Sequence, residues 1–406
     1  FPIQVDAEQM SVTATGAAGG GGCAFTKLTY TVTRGFNSTT AASHVKGADV
    51  TELIPAAIDG QDWDDVYADA ANRCANFPAL SGVVDCVFVA DPQVPTDTSI
   101  FITGGSKDDL DINEPNPNPP PDLINNWQWT TGSVPDADEI LNAYAAMYLD
   151  PVSDDQILYF GADRYATNGA KDFGFWLFRS TVEKNTDGTF SGQHVGDIAI
   201  GGDDILILGT FTQGGAATNI RVFRWVGTGG NATANGTVDG PVGTFADCVA
   251  AGSGDPGCGT VNNTSIPVPW AYQAKGTSAA GFIPSGGLVE GGVNLTALGI
   301  EGCFSSVLAE TRSSPSVDAQ LKDFALGQFD VCSSEMATTP SVSTIEIEGG
   351  SVTDDATITV SGLATPPAPT GSVDFYICGP GATSCDDSGT VFDTKPLPRT
   401  QVGNDY

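Results

Sequence analysis

The sequence is poor in histidine and in basic residues. Its 406 residues include two His, 16 Lys or Arg and 49 Asp or Glu, which gives a formal net charge of −33. A charge of this size repels phosphate backbones and anionic lipid surfaces, so nucleic-acid binding is excluded. The two histidines, His44 and His194, stand in predicted loops without ligand-spaced neighbours, which argues against a zinc site or a Ser-His-Asp triad.

Long apolar runs and long helical periods are also missing. No run reaches the about 18 apolar residues of a membrane span, and no basic-plus-apolar leader begins the chain, so we expect no membrane insertion and a signal peptide already removed. The 50 Gly and 25 Pro residues instead separate many short runs of strand-forming residues. This composition predicts an all-β fold, a large jelly-roll-like β-sandwich with one or two short helices.

The most apolar and aromatic stretches are predicted to form two hairpins at the centre of this sandwich. The first joins 157–162 to 173–178 around Asn168-Gly169, a dipeptide suited to tight turns, and the second joins 205–211 to 220–226. Further strands are predicted at 83–90, 98–103, 303–309 and 320–329. These elements belong to one main domain, residues 56–335.

Two segments predict helices. Ser133 can cap a helix that starts near Pro135, where apolar residues recur at the spacing of one buried stripe: Ile140, Leu141, Tyr144 and Met147. A short helix or loop is predicted around Trp63 and Val66.

The cysteines predict an oxidising compartment. Eight of the nine form close sequence pairs, and with so little histidine this spacing favours disulfides over zinc: Cys74 with Cys86, Cys248 with Cys258, Cys303 with Cys332, and Cys378 with Cys385. Cys23 is left over, and three outcomes stay open: it competes for Cys74 or Cys86, remains free, or pairs outside this chain. We therefore expect an extracellular or cell-surface protein.

Two regions flank the main domain. Residues 1–55 contain an alternating strand with Phe1, Ile3 and Val5 on one face, followed by a Gly-rich linker at 16–22 that lets this strand pair within the chain or reach a neighbour. A Ser/Thr/Pro linker at 336–343 precedes a partial Ig-like β-sandwich at 344–406. A full Ig domain needs about 100 residues, so we expect either a truncated chain or completion by another chain.

The middle of the chain, residues 63–332, carries distinctive phrases, among them DGQDWDD, FITGGSKDDLDINEP, WQWTTGSVPDADEILNAYAA, YFGADRYATNGAKDFGFWLF, LVEGGVNLTALGI and CFSSVLAETRSSPSVDAQLKDF. In these phrases the chain resembles a family of large secreted surface proteins of Gram-positive and related bacteria. The tail GSVDFYICGPGATSC resembles the start of a bacterial Ig-like repeat. The resemblance implies an extracellular β-sandwich with a structural or adhesive role, and it brings no established chemistry.

Several polar residues are candidates for binding or chemistry. Asp109, Asp111 and Asn113 offer alternating oxygen ligands for calcium, although the glycine of an EF-type loop is missing and a solvated acidic loop is the simpler interpretation. Solvated positions are also expected for Asp203 and Asp204, and a helix N-terminus for Asp136 and Asp138. Possible glycosylation sequons stand at Asn37, Asn231, Asn235, Asn262, Asn263 and Asn294.

Other side chains admit a structural interpretation beside a functional one. Glu290 and Glu310 lie on predicted strands and would serve glycoside hydrolysis only if they faced each other. Trp127 and Trp129 share a strand face and suit sugar stacking or, more simply, core packing. Asp163 and Arg164 suggest a cross-strand ion pair or a hairpin-end feature rather than a site.

These observations favour a non-enzymatic structural protein that self-assembles into a filament or layer by strand exchange. The alternative is a lectin-like or adhesive glycan-binding module, with calcium as the one cofactor considered.

Overall fold

The computed structural model describes the backbone of residues 2–5, 8–16, 29–34 and 50–52, most of the chain from 63 to 361, and residues 372–377 and 390–397. Gaps within 63–361 fall at 78–81, 92–96, 104–105, 113–126, 151–152, 197–202, 212–216, 249–250, 252–254, 277–279, 301, 330 and 342–352.

In chain order the first elements are β1 (Pro2–Val5), β2 (Glu8–Gly16), β3 (Thr29–Arg34), β4 (Val50–Glu52), α1 (Trp63–Asp69), β5 (Val83–Ala90), β6 (Asp97–Phe101), β7 (Trp129–Gly132), β8 (Ile140–Leu149), β9 (Gln156–Arg164), β10 (Lys171–Phe178), β11 (Glu183–Lys184) and β12 (Phe190–Ser191). They are followed by β13 (Ile205–Phe211), β14 (Ala217–Trp225), β15 (Val238–Phe245), β16 (Gly257–Val261), β17 (Ile266–Pro267), β18 (Phe282–Ile283), β19 (Leu288–Asn294), β20 (Ser306–Arg312), β21 (Leu321–Gln328), β22 (Ser333–Pro340), β23 (Asp354–Ser361), β24 (Ser372–Ile377) and β25 (Thr390–Pro396). Short 3₁₀ turns occupy Ala70–Asn72 and Thr296–Leu298.

Two antiparallel sheets form the main body, as the predicted all-β sandwich requires. One has eight strands in the order β15-β14-β13-β10-β20-β21-β6-β7, and the other has five in the order β16-β19-β9-β8-β5. Their facing side chains share one hydrophobic cluster, in which the rings of Phe160 on β9 and Phe175 on β10 lie 4.7 Å apart. The main core therefore lies between the sheets.

Both sheets are also covered on their outer faces. Behind the eight-stranded sheet, Trp176 and Leu308 pack with Trp127 and Phe190 from the connecting segments. On the outer side of the five-stranded sheet, Tyr144 of β8 packs with Trp63 of α1 and with Trp270. The central strands are consequently buried on both faces.

This double burial explains why the predicted helix after Ser133 is wrong. Residues Ile140–Leu149 form strand β8, paired with β5 and β9, and all but the last of them are buried. A strand buried on both faces shows no polar alternation. Its continuous apolar run therefore matches helical spacing as readily as strand spacing.

The first predicted hairpin is also wrong, although both of its strands exist. Strand β9 pairs with β8 and β19, whereas β10 pairs with β13 and β20 in the other sheet. The turn at Asn168-Gly169, where Gly169 has φ +87°, thus lies in a connection that crosses between sheets. The second hairpin is confirmed, because β13 pairs directly with β14. The short helix at Trp63 is present as α1.

Three of the four predicted disulfides are present: Cys74–Cys86, Cys248–Cys258 and Cys303–Cys332. Cys23, Cys378 and Cys385 lie outside the described residues. The third bond encloses the β20–β21 hairpin and thereby ties together two adjacent strands of the eight-stranded sheet.

The flanking regions also contain strands. Strand β1 lies between β2 and β4 in a four-stranded sheet of order β3-β2-β1-β4. Residues 336–340, predicted as linker, belong to strand β22, which pairs with β23 along its whole length. The prediction was wrong because Ser and Thr are common both in linkers and in exposed strands. Strands β24 and β25 form another two-stranded sheet. The division of the chain into domains stays a prediction.

Within the part of the chain that the structure describes, no helix has the length and apolar character needed to cross a membrane.

The Cys303–Cys332 bond gives a first test of this fold. Replacing both cysteines by serine should lower the free energy of unfolding by about 3 kcal/mol, because the bond closes a loop with a sequence separation of 29. Chemical denaturation of the parent and variant measures the loss. The matched control is Cys248→Ser with Cys258→Ser, which opens a loop with a separation of 10 and should cost less. A Cys303/Cys332 variant as stable as the parent would contradict the assignment.

Candidate functional site

Three aspartates converge in the main body. One carboxylate oxygen from each of Asp91, Asp97 and Asp323 lies within 4.8 Å of those of the other two, and all three side chains are buried. Among the described residues, this is the one group of three or more His, Cys, Asp or Glu side chains spaced closely enough to share a metal ion. We call it the aspartate cluster.

The aspartate cluster bridges the two sheets near their edges. Asp91 directly follows β5, the edge strand of the five-stranded sheet, while Asp97 begins β6 and Asp323 lies in β21 of the eight-stranded sheet. Asp323 stands opposite Ile100 of β6, which brings the two strands of that sheet together at the cluster. Its Oδ2 also accepts a hydrogen bond of 2.6 Å from the backbone N–H of Ile140, at the start of β8.

Each aspartate keeps one oxygen without a hydrogen-bond partner among the described residues. Asp97 Oδ1 accepts a 2.7 Å hydrogen bond from the backbone N–H of Ser99. The oxygens Asp91 Oδ2, Asp97 Oδ2 and Asp323 Oδ1 are buried, and no N–H or O–H donor of the described residues reaches them when the carboxyls are ionised; a proton held by Asp97 or Asp323 is shared between those two carboxyls. Because burying an unpartnered carboxylate oxygen is unfavourable, this arrangement calls for a further partner.

The electrostatics of the cluster are dominated by burial. Burial raises the pKa of Asp91 to about 9, and the negative charges of Asp97 and Glu139 add to the shift. Burial likewise raises the pKa of Asp97, and raises that of Asp323 well above its ordinary value, with Asp91 and Asp97 contributing. The site therefore strongly favours any partner that offsets negative charge.

Lys184 is the cation whose charge acts on Asp91 and Asp97. Its ammonium donates to the backbone oxygen of Thr98 at 2.8 Å and to Thr98 Oγ1 at 3.2 Å, and it lies 4.5 Å from the centre of the Trp129 ring. Lys184 thus directs its hydrogen bonds to a threonine, and it offsets only part of the charge.

An open groove of about 440 Å³ adjoins the aspartate cluster. Asp91, Thr98 and Ser99 line one part of it, and Glu183, Lys184 and Gln328 line another. Apolar side chains, among them Phe324 and Leu326, complete the lining, and the open groove lets water and ions approach Asp91.

The aspartate cluster leaves almost no signal in the sequence. Asp323 is separated from Asp91 and Asp97 by more than 200 residues, and no local spacing links a residue of β21 to the start of β6. The only local signal is the proline-flanked segment DPQVPTD, which contains two of the three aspartates.

The predicted calcium loop lies elsewhere. Asp109 Oδ2 accepts a 2.7 Å hydrogen bond from Asn235 Nδ2, Asp111 is half-buried, and Asn113 lies outside the described residues. The expectation of a solvated loop is wrong here, because Asp108 and Asp109 are buried. Asp108 accepts a hydrogen bond from Trp176 Nε1 and forms an ion pair with Arg312. Calcium binding at Asp109, Asp111 and Asn113 stays a prediction.

Three further aspartates, Asp138, Asp203 and Asp204, are buried, in contrast to their predicted positions. No helix follows Asp136 and Asp138, and Asp138 instead accepts a 2.9 Å hydrogen bond from Lys171 Nζ. Asp203 and Asp204 are buried rather than solvated. Asp204 accepts hydrogen bonds from the backbone N–H groups of Arg179 and Val195, because a carboxylate satisfies buried donors in turns.

His194 lies in a loop, as predicted, and its side chain is buried among the aromatic residues behind the eight-stranded sheet. Its Nδ1 lies 3.0 Å from Asp204 Oδ2, and its ring stacks on Trp225 at 3.9 Å. His44 lies outside the described residues. The His194–Asp204 pair could not be predicted from the sequence. Its burial depends on Trp176 and Trp225, which come from two different strands.

The two glutamates considered for hydrolysis lie on different sheets with different partners. Glu290 on β19 accepts a 2.9 Å hydrogen bond from Trp63 Nε1 on the outer side of the five-stranded sheet. Glu310 on β20 is buried beside Arg312 at 2.8 Å and close to Asp108, behind the eight-stranded sheet. The structure does not bring them together.

The remaining candidates have structural partners. Trp127 is fully buried, and half-buried Trp129 donates its Nε1–H to the backbone oxygen of Asn185. Asp163 accepts hydrogen bonds from Asn142 and Trp270, while Arg164 donates to Gly286, so the two do not pair with each other.

The sequons differ in how their amide groups are used. The side-chain nitrogens of Asn235, Asn262 and Asn294 donate to Asp109, to Thr264 and Pro284, and to Asp155 respectively. Asn231 and Asn263 are exposed, and Asn37 lies outside the described residues. Glycosylation stays a prediction at all of them.

Asp163 provides a test of burial in the main body. Its burial raises the pKa from 3.8 to about 7, so the folded chain binds this proton more tightly than the unfolded chain. The resulting stabilisation is present in acid and is lost as the pH rises from about 4 to 7. In the parent, the free energy of unfolding should therefore fall with pH across this range. In Asp163→Asn this fall should be shallower, by up to about 1.4 kcal/mol per pH unit, because the titrating carboxyl is gone. Denaturation at several pH values measures the slope.

The control for this experiment is Asp64→Asn, which removes an exposed carboxylate of α1 and should leave the slope unchanged. An Asp163→Asn slope equal to that of the parent would show that Asp163 is not buried as described.

Comparisons of the sequence with family models and with curated proteins, and of the fold with solved structures, find no match. The resemblance to bacterial surface proteins therefore stays a prediction.

Proposed function

We propose that this protein is an exported structural subunit that self-associates by strand exchange between copies. The observation that carries the proposal is the two-stranded sheet β24–β25, in which each strand has one neighbour among the described residues. Such a sheet leaves backbone donors and acceptors on its outer edges ready for another strand.

Exposed apolar side chains on β25 support this role. Phe392 is 74 % exposed and Val391 is 49 % exposed, although both belong to a strand. Large apolar residues at such exposure on an edge strand favour contact with another chain.

The proposed donor is the segment Phe1–Ala7, in which the sequence alternation of Phe1, Ile3 and Val5 predicts one apolar face. In the single chain its residues Pro2–Val5 pair with β2 and β4. In the assembly this strand would leave one of those partners and pair with β25 of the next copy. A contact between different surfaces of identical subunits repeats into a filament unless its rotation closes a ring.

Export is supported by the three disulfides, because such bonds persist in oxidising compartments. The net charge of −33 suits a soluble subunit that must avoid nonspecific aggregation before assembly. A rigid body with sheets covered on both faces also suits a protein whose role is shape and contact.

Deleting residues 1–7 should convert the assembled protein into monomers, since the donor strand is lost. Phe392→Asp should have the same effect by placing a charge on the acceptor edge. Mixing the two variants should give dimers and nothing larger. The reason is that one chain retains only the acceptor edge and the other retains only the donor strand. Analytical ultracentrifugation and electron microscopy measure these states.

The matched control is Gln4→Asp, which adds a charge on the polar face of the donor and should leave assembly intact, whereas Ile3→Asp should abolish it. Undiminished polymers after deletion of residues 1–7 would refute strand exchange.

A second candidate, glycan binding, is favoured by one exposed aromatic residue. Tyr67 of α1 is 40 % exposed, and its ring lies 4.9 Å from Phe88 and 5.9 Å from Trp270. A tyrosine held in place by such neighbours presents a ring face suited to stacking on a sugar.

If this surface binds glycans, a glycan array should give ligands whose affinity falls about tenfold in Tyr67→Ala, in line with the loss of about 1.4 kcal/mol from one aromatic contact. Phe282→Ala removes another exposed ring and should have no effect. An array without ligands, or equal binding by Tyr67→Ala, would eliminate this candidate. Repeating the array with a chelator shows whether calcium takes part.

A further inference from the structure

We propose that Asp91, Asp97 and Asp323 bind a single Ca²⁺ ion that links the edges of the two sheets. This inference concerns the main body and does not depend on the proposed assembly.

The donor set selects the class of ion. All three side chains are carboxylates, and no His or Cys joins them in the cluster, so the site favours a hard cation over zinc or copper. Ca²⁺ binds six to eight oxygens at about 2.4 Å, and three carboxylates can supply up to six of them.

The all-protein donor set favours Ca²⁺ over Mg²⁺. Three carboxylates from separate elements share the site, and the flexible coordination shell of Ca²⁺ accepts such a set. Mg²⁺ demands a near-ideal octahedron and usually keeps several waters with only one or two carboxylates. Water entering through the groove beside Asp91 can complete the shell of the larger ion.

The unpartnered oxygens point independently to a ligand. Asp97 and Asp323 are both 0 % exposed, and each has one carboxylate oxygen that accepts no hydrogen bond among the described residues. Their other oxygens are held in place by the backbone N–H groups of Ser99 and Ile140. The carboxylates are therefore fixed in position with one oxygen still lacking a partner, as a preformed cation site requires.

Lys184 does not fill this role, because its ammonium donates to Thr98. The ionisable groups around the site are thus the three aspartates and Glu139, with Lys184 as the cation. A divalent cation would offset the charge of those carboxylates that ionise on binding it.

Binding at this position would stabilise the sandwich. Asp91 comes from the edge strand of one sheet, and Asp97 and Asp323 come from two adjacent strands of the other. An ion shared by all three must be released before the sheets separate, so it binds the folded chain in preference to the unfolded chain.

The test uses the full chain after EDTA treatment and dialysis. Isothermal titration calorimetry with CaCl₂ at constant ionic strength should show saturable Ca²⁺ binding, and the variants below assign that binding to the cluster. A Ca²⁺ concentration about 100 times the dissociation constant should raise Tm by about 5 °C or more. MgCl₂ at the same concentration should give a smaller shift.

Asp97→Asn and Asp323→Asn should each weaken the titrated binding by at least tenfold and remove most of the Tm shift. Asp163→Asn is the matched control for a buried carboxylate, and Asp109→Asn is the control for the acidic loop; both should keep the response. No Ca²⁺ binding by the parent, or an unchanged response in both cluster variants, would overturn the proposal. If neither cluster variant folds, loss of the response in Asp109→Asn would overturn it, because the ion would then bind at the loop.

Discussion

The structure depends on two sheets whose central strands are buried on both faces. Phe160 and Phe175 meet between the sheets, while Tyr144 and Trp176 carry the outer layers on either side. Sheets packed in this way need connecting segments that also act as cover. Helix α1, the segment around Trp270 and the strand pair β11–β12 have that role, so the loops of this chain are part of its cores.

The same arrangement accounts for the buried acids. Connections that cover a sheet bring their polar side chains with them, and many of these are aspartates in an acidic chain. Asp108 is paired with Arg312, and Asp204 satisfies two backbone donors. Asp163 lies on strand β9 and is bound by the covering residue Trp270 and by Asn142. The aspartate cluster differs from these sites because its three carboxylates lie close enough together to share one ion, and each keeps a buried oxygen to which no described residue donates a hydrogen bond. That combination, rather than the abundance of acidic residues, is the basis on which we propose it as a cation site.

The fold class could be predicted from the sequence, because Gly, Pro and short apolar runs are local signals. The strand Val83–Ala90, the β13–β14 hairpin and three disulfides also depend on residues close in sequence. Prediction was wrong where burial is decided by distant parts of the chain. Strand β8 was assigned to a helix because its two covering layers come from other elements, and β9 and β10 were paired because sequence proximity does not show a crossing between sheets. The aspartate cluster and the His194–Asp204 pair were missed for the same reason.

The central claim is that the two sheets form one cooperative body held together through strands covered on both sides. Hydrogen–deuterium exchange of the disulfide-intact chain, resolved to single strands, tests it most directly. The amides of β8 and β9 should exchange as slowly as those of β10 and β20, and all four strands should lose protection together in denaturant. Rapid exchange in β8 and β9 while β10 and β20 stay protected would contradict the claim.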